Sequence, residues 1–260
     1  MSCPKVYAVQ LDIVWEDKVA NFRKVEALVK AAAPVPGSLV ILPEMFACGF
    51  SMNLAVTRQC AEREDEAFLS GLAREHGVFV AGGVVSCGTG EMGRNEAVVF
   101  SPEGNVVARY TKIHPFSLGG ESKGHEFGTE IVTFEWSGFV VAPFVCYDLR
   151  FPEIFRAAAH NGANLFVVMA LWPVKRQQHW LTLLQARAIE NQAYAVGVNR
   201  VGCEPELLYA GRSVVVDPHG VIIADAGERE HVVPATIETE VVNSWRRDFP
   251  ALRDAHWTPS

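Results

Sequence analysis

The chain has 260 residues, of which 49% are hydrophobic, and a formal net charge of −7. This composition is ample for a sizeable core, and the acidic balance argues against a nucleic-acid or anionic-membrane partner. The six cysteines show no CxxC spacing, which indicates reduced thiols and predicts a cytoplasmic location.

The first elements along the chain lead to a carboxylate. A predicted strand over residues 5–11 and a helix over 18–33 precede an apolar strand over 38–42, which runs through Pro43 into Glu44. Apolar neighbours raise the pKa of a carboxyl group, and a raised pKa suits a general base. Glu44 is therefore a candidate base, although a strand-end carboxylate can also be a plain surface group.

A glycine-rich segment follows the next helix (61–76) and strand (78–85). Residues 88–93 fit the GxGxxG pattern of dinucleotide sites. The pattern leads into a short strand over 97–100, whereas a dinucleotide site needs a helix N-terminus to hold the pyrophosphate. We predict a surface loop here. An oxidoreductase hypothesis would rest on this loop alone, and nucleotide-cofactor binding would test it.

Two more strands also end at reactive side chains. The strand over residues 106–110 leads to Lys112, and the apolar strand over 139–145 ends at Cys146, before a helix over 152–161. A thiol that cleaves amides needs a base and a cationic environment, which Glu44 and Lys112 would supply. Lys112 and the backbone N–H of Tyr147 would hold the oxyanion. These residues predict a cysteine amidohydrolase.

The last predicted elements repeat an earlier pattern. Strands over residues 164–169 and 193–198 flank a helix over 176–192, and strands over 213–216 and 221–224 form a hairpin. The pattern at 214–224 matches that at 98–108, at an offset of 116 residues. This predicts two related halves, each a sheet covered by helices, and a single α/β domain over residues 1–260 with an α-β-β-α sandwich fold.

Three motifs resemble those of the nitrilase superfamily of carbon–nitrogen hydrolases, in that family's order and spacing. They are PEMF around Glu44, YTKIHPF around Lys112 and CYDLRFPE from Cys146. The segments from residue 172 to 202 most resemble the omega-amidase branch. The resemblance implies the same sandwich fold, a Glu–Lys–Cys triad and a second glutamate, which Glu121 matches best and Glu126 is the alternative.

The resemblance also implies an activity. It is the hydrolysis of small amides that carry a carboxylate, such as 2-oxoglutaramate or 2-oxosuccinamate, to acid and ammonia through a thioester. It further implies a homodimer or higher homo-oligomer, with the tail from about residue 240 at the interface. A nitrilase, an N-carbamoyl amide hydrolase and a non-catalytic binding protein of the same fold remain alternatives.

Neither a metal nor an organic cofactor is expected, because the chain itself supplies nucleophile, base and oxyanion donors. The eight histidines also show no metal-ligand spacing. The expected partner is a small amide, with no nucleic acid and no membrane.

Candidate substrate-binding residues are Phe116, Arg150, Trp172 and Arg212. A guanidinium binds a carboxylate bidentately, so either arginine could contact a substrate carboxylate, although Arg150 could also pair with Asp148 or Glu153. Arg212 stands where the omega-amidase branch would carry a smaller or acidic residue. The resemblance implies that the two aromatic residues are pocket walls, whereas aromatic side chains in such positions are more often part of a core.

Overall fold

The computed structural model describes residues 3–59 and 61–256, so the end of the predicted interface tail lies outside the described residues. The strands are β1 (Lys5–Gln10), β2 (Leu39–Ile41), β3 (Phe79–Cys87), β4 (Gly93–Phe100), β5 (Val106–Thr111), β6 (His125–Glu126), β7 (Phe134–Trp136), β8 (Phe139–Val145), β9 (Leu165–Met169), β10 (Tyr194–Val198), β11 (Val201–Cys203), β12 (Leu208–Ala210), β13 (Val214–Val216), β14 (Ile222–Asp225) and β15 (His231–Thr236).

The helices are α1 (Lys18–Ala32), α2 (Leu54–Thr57), α3 (Glu64–His76), α4 (Glu121–Gly124), α5 (Pro152–His160), α6 (Gln177–Asn191) and α7 (Thr239–Asp248). Short 3₁₀ turns cover Ser117–Gly119, Cys146–Arg150 and Val174–Arg176. None of the helices in the described parts of the chain is both long and apolar enough to cross a bilayer.

The strands form two large sheets of equivalent topology. The first has the order β15-β1-β2-β3-β4-β5, with β6 beside β4, and the second has the order β7-β8-β9-β10-β13-β14. In each, three neighbouring strands are parallel (β1-β2-β3 and β8-β9-β10) and a hairpin closes the far edge (β4-β5 and β13-β14). The repeated hairpins therefore occupy equivalent places, as the sequence repeat predicts.

Alternating side chains of β1 show how the layers stack. Val6 and Ala8 pack in one apolar cluster with the second sheet, whereas Tyr7 and Val9 pack in another with α1 and α3. Since neighbouring residues of a strand point to opposite faces, the first sheet has helices on one face and the second sheet on the other. Helices α5 and α6 cover the second sheet, and the α-β-β-α sandwich is confirmed.

Helix α6 packs on the second sheet through Trp180, Leu184 and Ala188, which are fully buried. The sequence pattern missed β15 and α7. Strand β15 contains Pro234, which cannot donate a ladder hydrogen bond, but β15 lies at the edge of its sheet, where proline is tolerated. Helix α7 is short and mostly polar and buries only Val242 fully, so its sequence offers few apolar residues from which a helix could be predicted.

The glycine-rich segment is the connection of a β-hairpin. Strands β3 and β4 pair antiparallel from Val80 opposite Phe100 to Cys87 opposite Gly93, so β4 begins four residues before its predicted start. Residues 88–92 form the turn between them, and a strand follows instead of a helix. The surface-loop interpretation fits this arrangement, and the segment lacks the helix of a dinucleotide site.

Candidate active site

Glu44, Lys112 and Cys146 meet at the ends of three strands. Glu44 follows β2, Lys112 follows β5 in the same sheet, and Cys146 follows β8 in the opposite sheet. Strand β3 passes so close to Glu44 that a Cβ atom on Gly83 would lie 2.5 Å from the Glu44 Cα atom. Glycine is therefore required at position 83 for the carboxylate to reach its place.

The Lys112 ammonium lies between two buried glutamates. Its Nζ atom donates to Glu44 Oε1 and to Glu121 Oε2, both at 2.8 Å, and both carboxylates are fully buried. Glu121 Oε2 also accepts from the backbone N of Phe116 at 2.6 Å. The alternative, Glu126, lies elsewhere, since it pairs with Arg94 at 2.6 Å. The structure thus places Glu121, and not Glu126, beside the lysine.

Asn95 joins the two glutamates as well, and sequence reasoning missed it. Its Nδ2 atom lies 2.7 Å from Glu44 Oε1 and 2.7 Å from Glu121 Oε1. A single asparagine carries no motif, and the predicted strand in this region began at residue 97. Only the observed start of β4 at Gly93 places this side chain in the sheet.

Cys146 adopts an unusual backbone conformation. Its φ angle is +46°, in the left-handed region that non-glycine residues rarely visit, and such strain often occurs at functional sites. The thiol is 9% exposed, and Sγ lies 3.8 Å from the carbonyl oxygen of Leu171. The N–H of Leu171 donates to Glu44 Oε2 at 3.1 Å, so one residue contacts both the thiol and the carboxylate.

The two glutamates differ in their electrostatics. Burial raises the pKa of Glu44 and outweighs the effect of Lys112. Burial acts in the same direction on Glu121, but Lys112 and the Phe116 N–H outweigh it and lower that pKa. Two carboxyl groups whose pKa values are pushed apart are suited to different roles. Glu44 has the character of a proton acceptor and Glu121 that of a permanent counter-ion.

The thiol and the ammonium also have shifted pKa values. Burial and the Glu44 carboxylate raise the pKa of Cys146, and Lys112 opposes them only in part. Burial disfavours the charged form of Lys112, but the two carboxylates outweigh it and raise its pKa. At neutral pH the lysine is charged and the thiol is protonated, so the thiol needs a base before it can react.

Asp148 connects the ends of strands β5 and β8. This fully buried carboxylate accepts hydrogen bonds from the Tyr110 hydroxyl at 2.8 Å and from the backbone N of Val145 at 3.1 Å. It also accepts from the backbone N of His114 at 3.0 Å and contacts the His114 Nδ1 atom at 2.9 Å. Because Tyr110 lies on β5 and Val145 on β8, Asp148 holds the ends of these strands together.

A cavity of about 490 Å³ opens onto Cys146, a size typical of small-molecule sites. Phe116, Arg150 and Trp172, three of the four predicted substrate-binding residues, line it together with Tyr147.

Arg212 is not among the residues that line the cavity, and the structure pairs it with Asp225 instead. Its Nε atom donates to the Asp225 carboxylate at 2.9 and 3.0 Å, and its Nη2 atom donates to the same group. This pairing follows from the hairpin of β13 and β14, in which residue 214 stands opposite residue 225.

Two arginines do face the cavity. The Arg150 guanidinium lies 4.7 Å from the ring centroid of Trp172 and 3.3 Å from His179 Nδ1. The Arg176 guanidinium lies 5.5 Å from the ring centroid of Phe116, and no sequence motif had indicated this residue. Burial and the charge of Arg176 lower the pKa of Arg150. Neither arginine forms an ion pair within residues 3–59 and 61–256, and Arg150 does not pair with Asp148.

Glu204 links the hairpin of β11 and β12 to the loop after Glu44 by hydrogen bonds. It accepts from the backbone N of Phe50 at 2.9 Å, from Arg200 Nη1 at 2.8 Å and from the Tyr209 hydroxyl at 2.7 Å. Phe50 lines the cavity, and the Lys112 ammonium lies 5.9 Å from its ring centroid. Glu204 therefore fixes one wall of the cavity.

The part of the chain that the structure describes contains no cluster of three or more His, Cys, Asp or Glu side chains suited to a metal ion. The expectation that no metal or organic cofactor is needed stays a prediction.

Comparison with known proteins places these observations in one family. The family model for carbon–nitrogen hydrolases matches residues 5–247. An omega-amidase of Yersinia enterocolitica is 37% identical over 98% of this chain and 97% of its own length. A 2-oxoglutaramate amidase of Bacillus subtilis is 31% identical over 96% of each chain.

Solved structures agree. A carbon–nitrogen hydrolase superfamily protein of Xanthomonas campestris, crystallised with an arsenic adduct in its active site, superposes with a TM-score of 0.91 at 33% identity over the whole of both chains. Nit3 of Saccharomyces cerevisiae, a nitrilase superfamily member, gives a TM-score of 0.87 at 27% identity over 98% of this chain and 97% of its own.

Proposed function

This chain belongs to the carbon–nitrogen hydrolase family and is an amidase, and we propose that it hydrolyses small amides carrying a carboxylate, with 2-oxoglutaramate or 2-oxosuccinamate as substrate. The observation that carries the proposal is the cavity itself. Its wall contains the Cys146 thiol, which lies beside Glu44, and two arginines that have no carboxylate partner among the described residues.

Glu44 acts as the base that activates the nucleophile. It takes the thiol proton, and the Cys146 sulfur attacks the amide carbonyl to form a C–S bond. The raised pKa of Glu44 makes its carboxylate a better proton acceptor than an exposed one. The proton then passes from Glu44 to the amide nitrogen, the C–N bond breaks, and ammonia leaves from a thioester.

Hydrolysis of the thioester uses the same base. Glu44 removes a proton from water, the resulting hydroxide attacks the thioester carbonyl, and the C–S bond breaks. The Cys146 sulfur regains the proton and the acid product leaves. No group outside the chain is needed to balance either half of the reaction.

Lys112 stabilises the oxyanion of both tetrahedral intermediates. Its ammonium carries three N–H donors, and two of them bind the two glutamates, which leaves one for the substrate oxygen. The backbone N–H of Tyr147, the first residue after the nucleophile, is the second donor. Preorganised donors of this kind are typically worth about 10²–10³ in kcat each.

Arg150 and Arg176 bind the substrate carboxylate. The two like charges lie close enough for one to lower the pKa of the other, an arrangement that an anionic ligand relieves. The rings of Trp172 and Phe116 hold the two guanidinium groups by cation–π contacts. A neutral amide or a nitrile makes no comparable contact, which favours the oxo acids.

A substrate panel tests this proposal. We expect kcat/KM, measured by ammonia release, to be highest for 2-oxoglutaramate or 2-oxosuccinamate and lower for glutamine, a neutral aliphatic amide and a nitrile. Arg150→Ala and Arg176→Ala should each lower kcat/KM for the oxo acid by roughly 30-fold, mainly through KM, because losing a charge partner costs about 2 kcal/mol.

Arg212→Ala is the matched control, since it removes an arginine that pairs with Asp225 outside the cavity. It should leave KM unchanged. A panel in which the neutral amide, the nitrile or an N-carbamoyl compound is the best substrate would reject the substrate assignment and favour the corresponding alternative. A deaminated glutathione amidase of Synechocystis is also 32% identical to this chain, so deaminated glutathione belongs in the panel.

We also propose a cytoplasmic homodimer with the region after about residue 240 at its interface. The described cysteines are all unpaired thiols, which suits a reducing compartment. Phe249 is 54% exposed after α7 and Ile189 on α6 is 53% exposed. His219, whose turn packs against α6, contacts Trp245 of α7 at 4.6 Å between ring centroids. Ile189 lies beside Gly220 and Phe249 stacks on Trp245, so these exposed side chains are neighbours, and contiguous exposed apolar patches mark interfaces.

Sedimentation equilibrium should therefore give twice the chain mass of 28.5 kDa. Ile189→Asp and Phe249→Asp should shift the mass towards the monomer, because a buried unpaired charge opposes association. Val106→Asp, at an exposed site on the far edge of the first sheet, should leave the mass unchanged. A monomer at all concentrations in the unmodified protein would contradict the proposal.

A further inference from the structure

We propose that Asn95 is a positioning residue of the active site: it holds Glu44 and Glu121 in place and keeps Glu44 ionisable as the base. The inference rests on the proposed role of Glu44 and adds a residue that belongs to none of the sequence motifs. Asn95 lies on β4 and is 1% exposed, so its side chain is sealed inside the sandwich.

Asn95 contacts every member of the Glu–Lys–Glu cluster, which consists of Glu44, Lys112 and Glu121. Its Nδ2 atom donates to one oxygen of each carboxylate, both at 2.7 Å, and its backbone carbonyl accepts from the backbone N of Lys112 at 2.9 Å. Its two amide hydrogens match these two acceptors. A flipped amide would aim Oδ1 at two carboxylates, so the chemistry allows one orientation only.

The cluster needs a donor that brings no charge. Two carboxylates and one ammonium leave an excess negative charge in a buried place, and like charges raise the pKa of carboxyl groups. A second cation would offset that charge, but it would also lower the pKa of Glu44 and weaken it as a base. An amide supplies hydrogen bonds to both carboxylates and lowers the pKa of Glu44 only in part, because burial outweighs it and the pKa stays raised.

Asn95 also fixes which oxygen of Glu44 does the chemistry. Oε1 accepts from both Lys112 and Asn95, whereas Oε2 accepts only from the N–H of Leu171 among the described residues. The same Leu171 contacts the thiol of Cys146 through its carbonyl group. Holding Oε1 therefore turns Oε2 towards the nucleophile.

The arrangement is not explained by fold stability alone. The Oδ1 atom of Asn95 is buried and has no hydrogen-bond partner in the described parts of the chain, and a buried carbonyl without a partner destabilises a protein. An apolar side chain of the same size would avoid this loss, but it would leave each of the two buried carboxylates without one of its donors. The side chain thus serves the carboxylates it contacts.

The test measures the pH dependence of the site. Lys112, Glu121 and Cys146 are the titratable groups that face Glu44, and His125 faces Glu121. Each of these four groups comes from a different neighbouring element. Asn95→Asp places a third carboxylate among them and raises the pKa of Glu44. Because activity needs ionised Glu44, the acidic limb of kcat/KM should move to higher pH by about one unit or more.

Asn95→Leu keeps the size of the side chain but removes its donors. We expect kcat to fall about 10²-fold with KM little changed, since a misplaced base impairs the chemical step. The rate at which iodoacetamide alkylates Cys146 should fall as well. This rate reports the reactivity of the Cys146 thiol, which depends on Glu44, and it needs no amide substrate. It therefore tests the role of Asn95 even if the proposed substrate is wrong.

Asn191 offers a matched control. It is a fully buried asparagine on α6 whose Oδ1 atom also lacks a partner among the described residues, and it lies outside the cavity. Asn191→Asp and Asn191→Leu should lower thermal stability but leave the acidic limb and the alkylation rate unchanged. The proposal is overturned if folded Asn95→Leu keeps the original kcat and alkylation rate, or if the Asn191 variants move the pH profile as far.

Discussion

Replacing Cys146 with serine is expected to abolish ammonia release, with a loss of about 10⁴-fold or more in kcat. The sulfur forms the bond to the substrate, and a serine hydroxyl beside Glu44 has a far higher pKa than a thiol, so the same base cannot activate it. Intact-mass spectrometry of the unmodified enzyme, quenched during turnover, should show an acyl adduct on Cys146.

Cys48→Ser is the control for this prediction. Cys48 is also buried, and burial raises its pKa to about 12, but it lies outside the Glu–Lys–Glu cluster. It should keep its turnover and its acyl adduct. Turnover that persists in Cys146→Ser, or an adduct on another residue, would reject the thioester mechanism.

Lys112→Met should lose both activity and stability. Without the ammonium, Glu44 and Glu121 face each other as buried carboxylates, and breaking a buried ion pair on one side costs about 3–5 kcal/mol of the free energy of unfolding. Lys24→Met is the comparison: the Lys24 pair with Glu230 is partly exposed, and such pairs are worth about 1 kcal/mol or less. Denaturant unfolding measures both losses.

The loss in Lys112→Met should depend on pH in a defined direction. Without the lysine, burial and mutual repulsion raise the folded-state pKa of the two carboxyl groups above their unfolded values. The folded state is then penalised at pH values above these pKa values and relieved as the pH falls and the groups become protonated. A stability deficit that is as large at pH 5 as at pH 8 would contradict this electrostatic explanation.

The sequence predicted the triad because each of its members follows an apolar strand. Such strands are recognisable from composition, and the three motifs in order place their ends in one site. The assignment to the omega-amidase branch and the choice of Glu121 as the second glutamate came from resemblance to a family. A loop glutamate has no sequence signal of its own, and only the contact with Lys112 distinguishes Glu121 from Glu126.

Residues whose role depends on tertiary contacts were predicted less well. Asn95 is an ordinary polar residue of a strand until β4 places it between two carboxylates, and Arg176 could not be selected before its place in the cavity wall was known. The position of Arg212 outside the cavity could not be predicted for the same reason, since its pairing with Asp225 depends on strand register. Local sequence patterns predict helices and strands, but the pairing of strands decides which charged side chains remain free to bind a substrate.

The equivalence of the two sheets has a consequence for how the protein is made. In the second sheet the antiparallel edge strand β7 directly precedes its neighbour β8 in the chain. In the first sheet the corresponding edge strand is β15, which is among the last elements to be synthesised. It pairs with β1 near the N-terminus, where Thr236 stands opposite Lys5. The sheet that carries Glu44 and Lys112 therefore lacks an edge strand until residues 231–236 have left the ribosome. The nascent chain can assemble its second sheet first, and the sheet that begins at the N-terminus is the last to be completed.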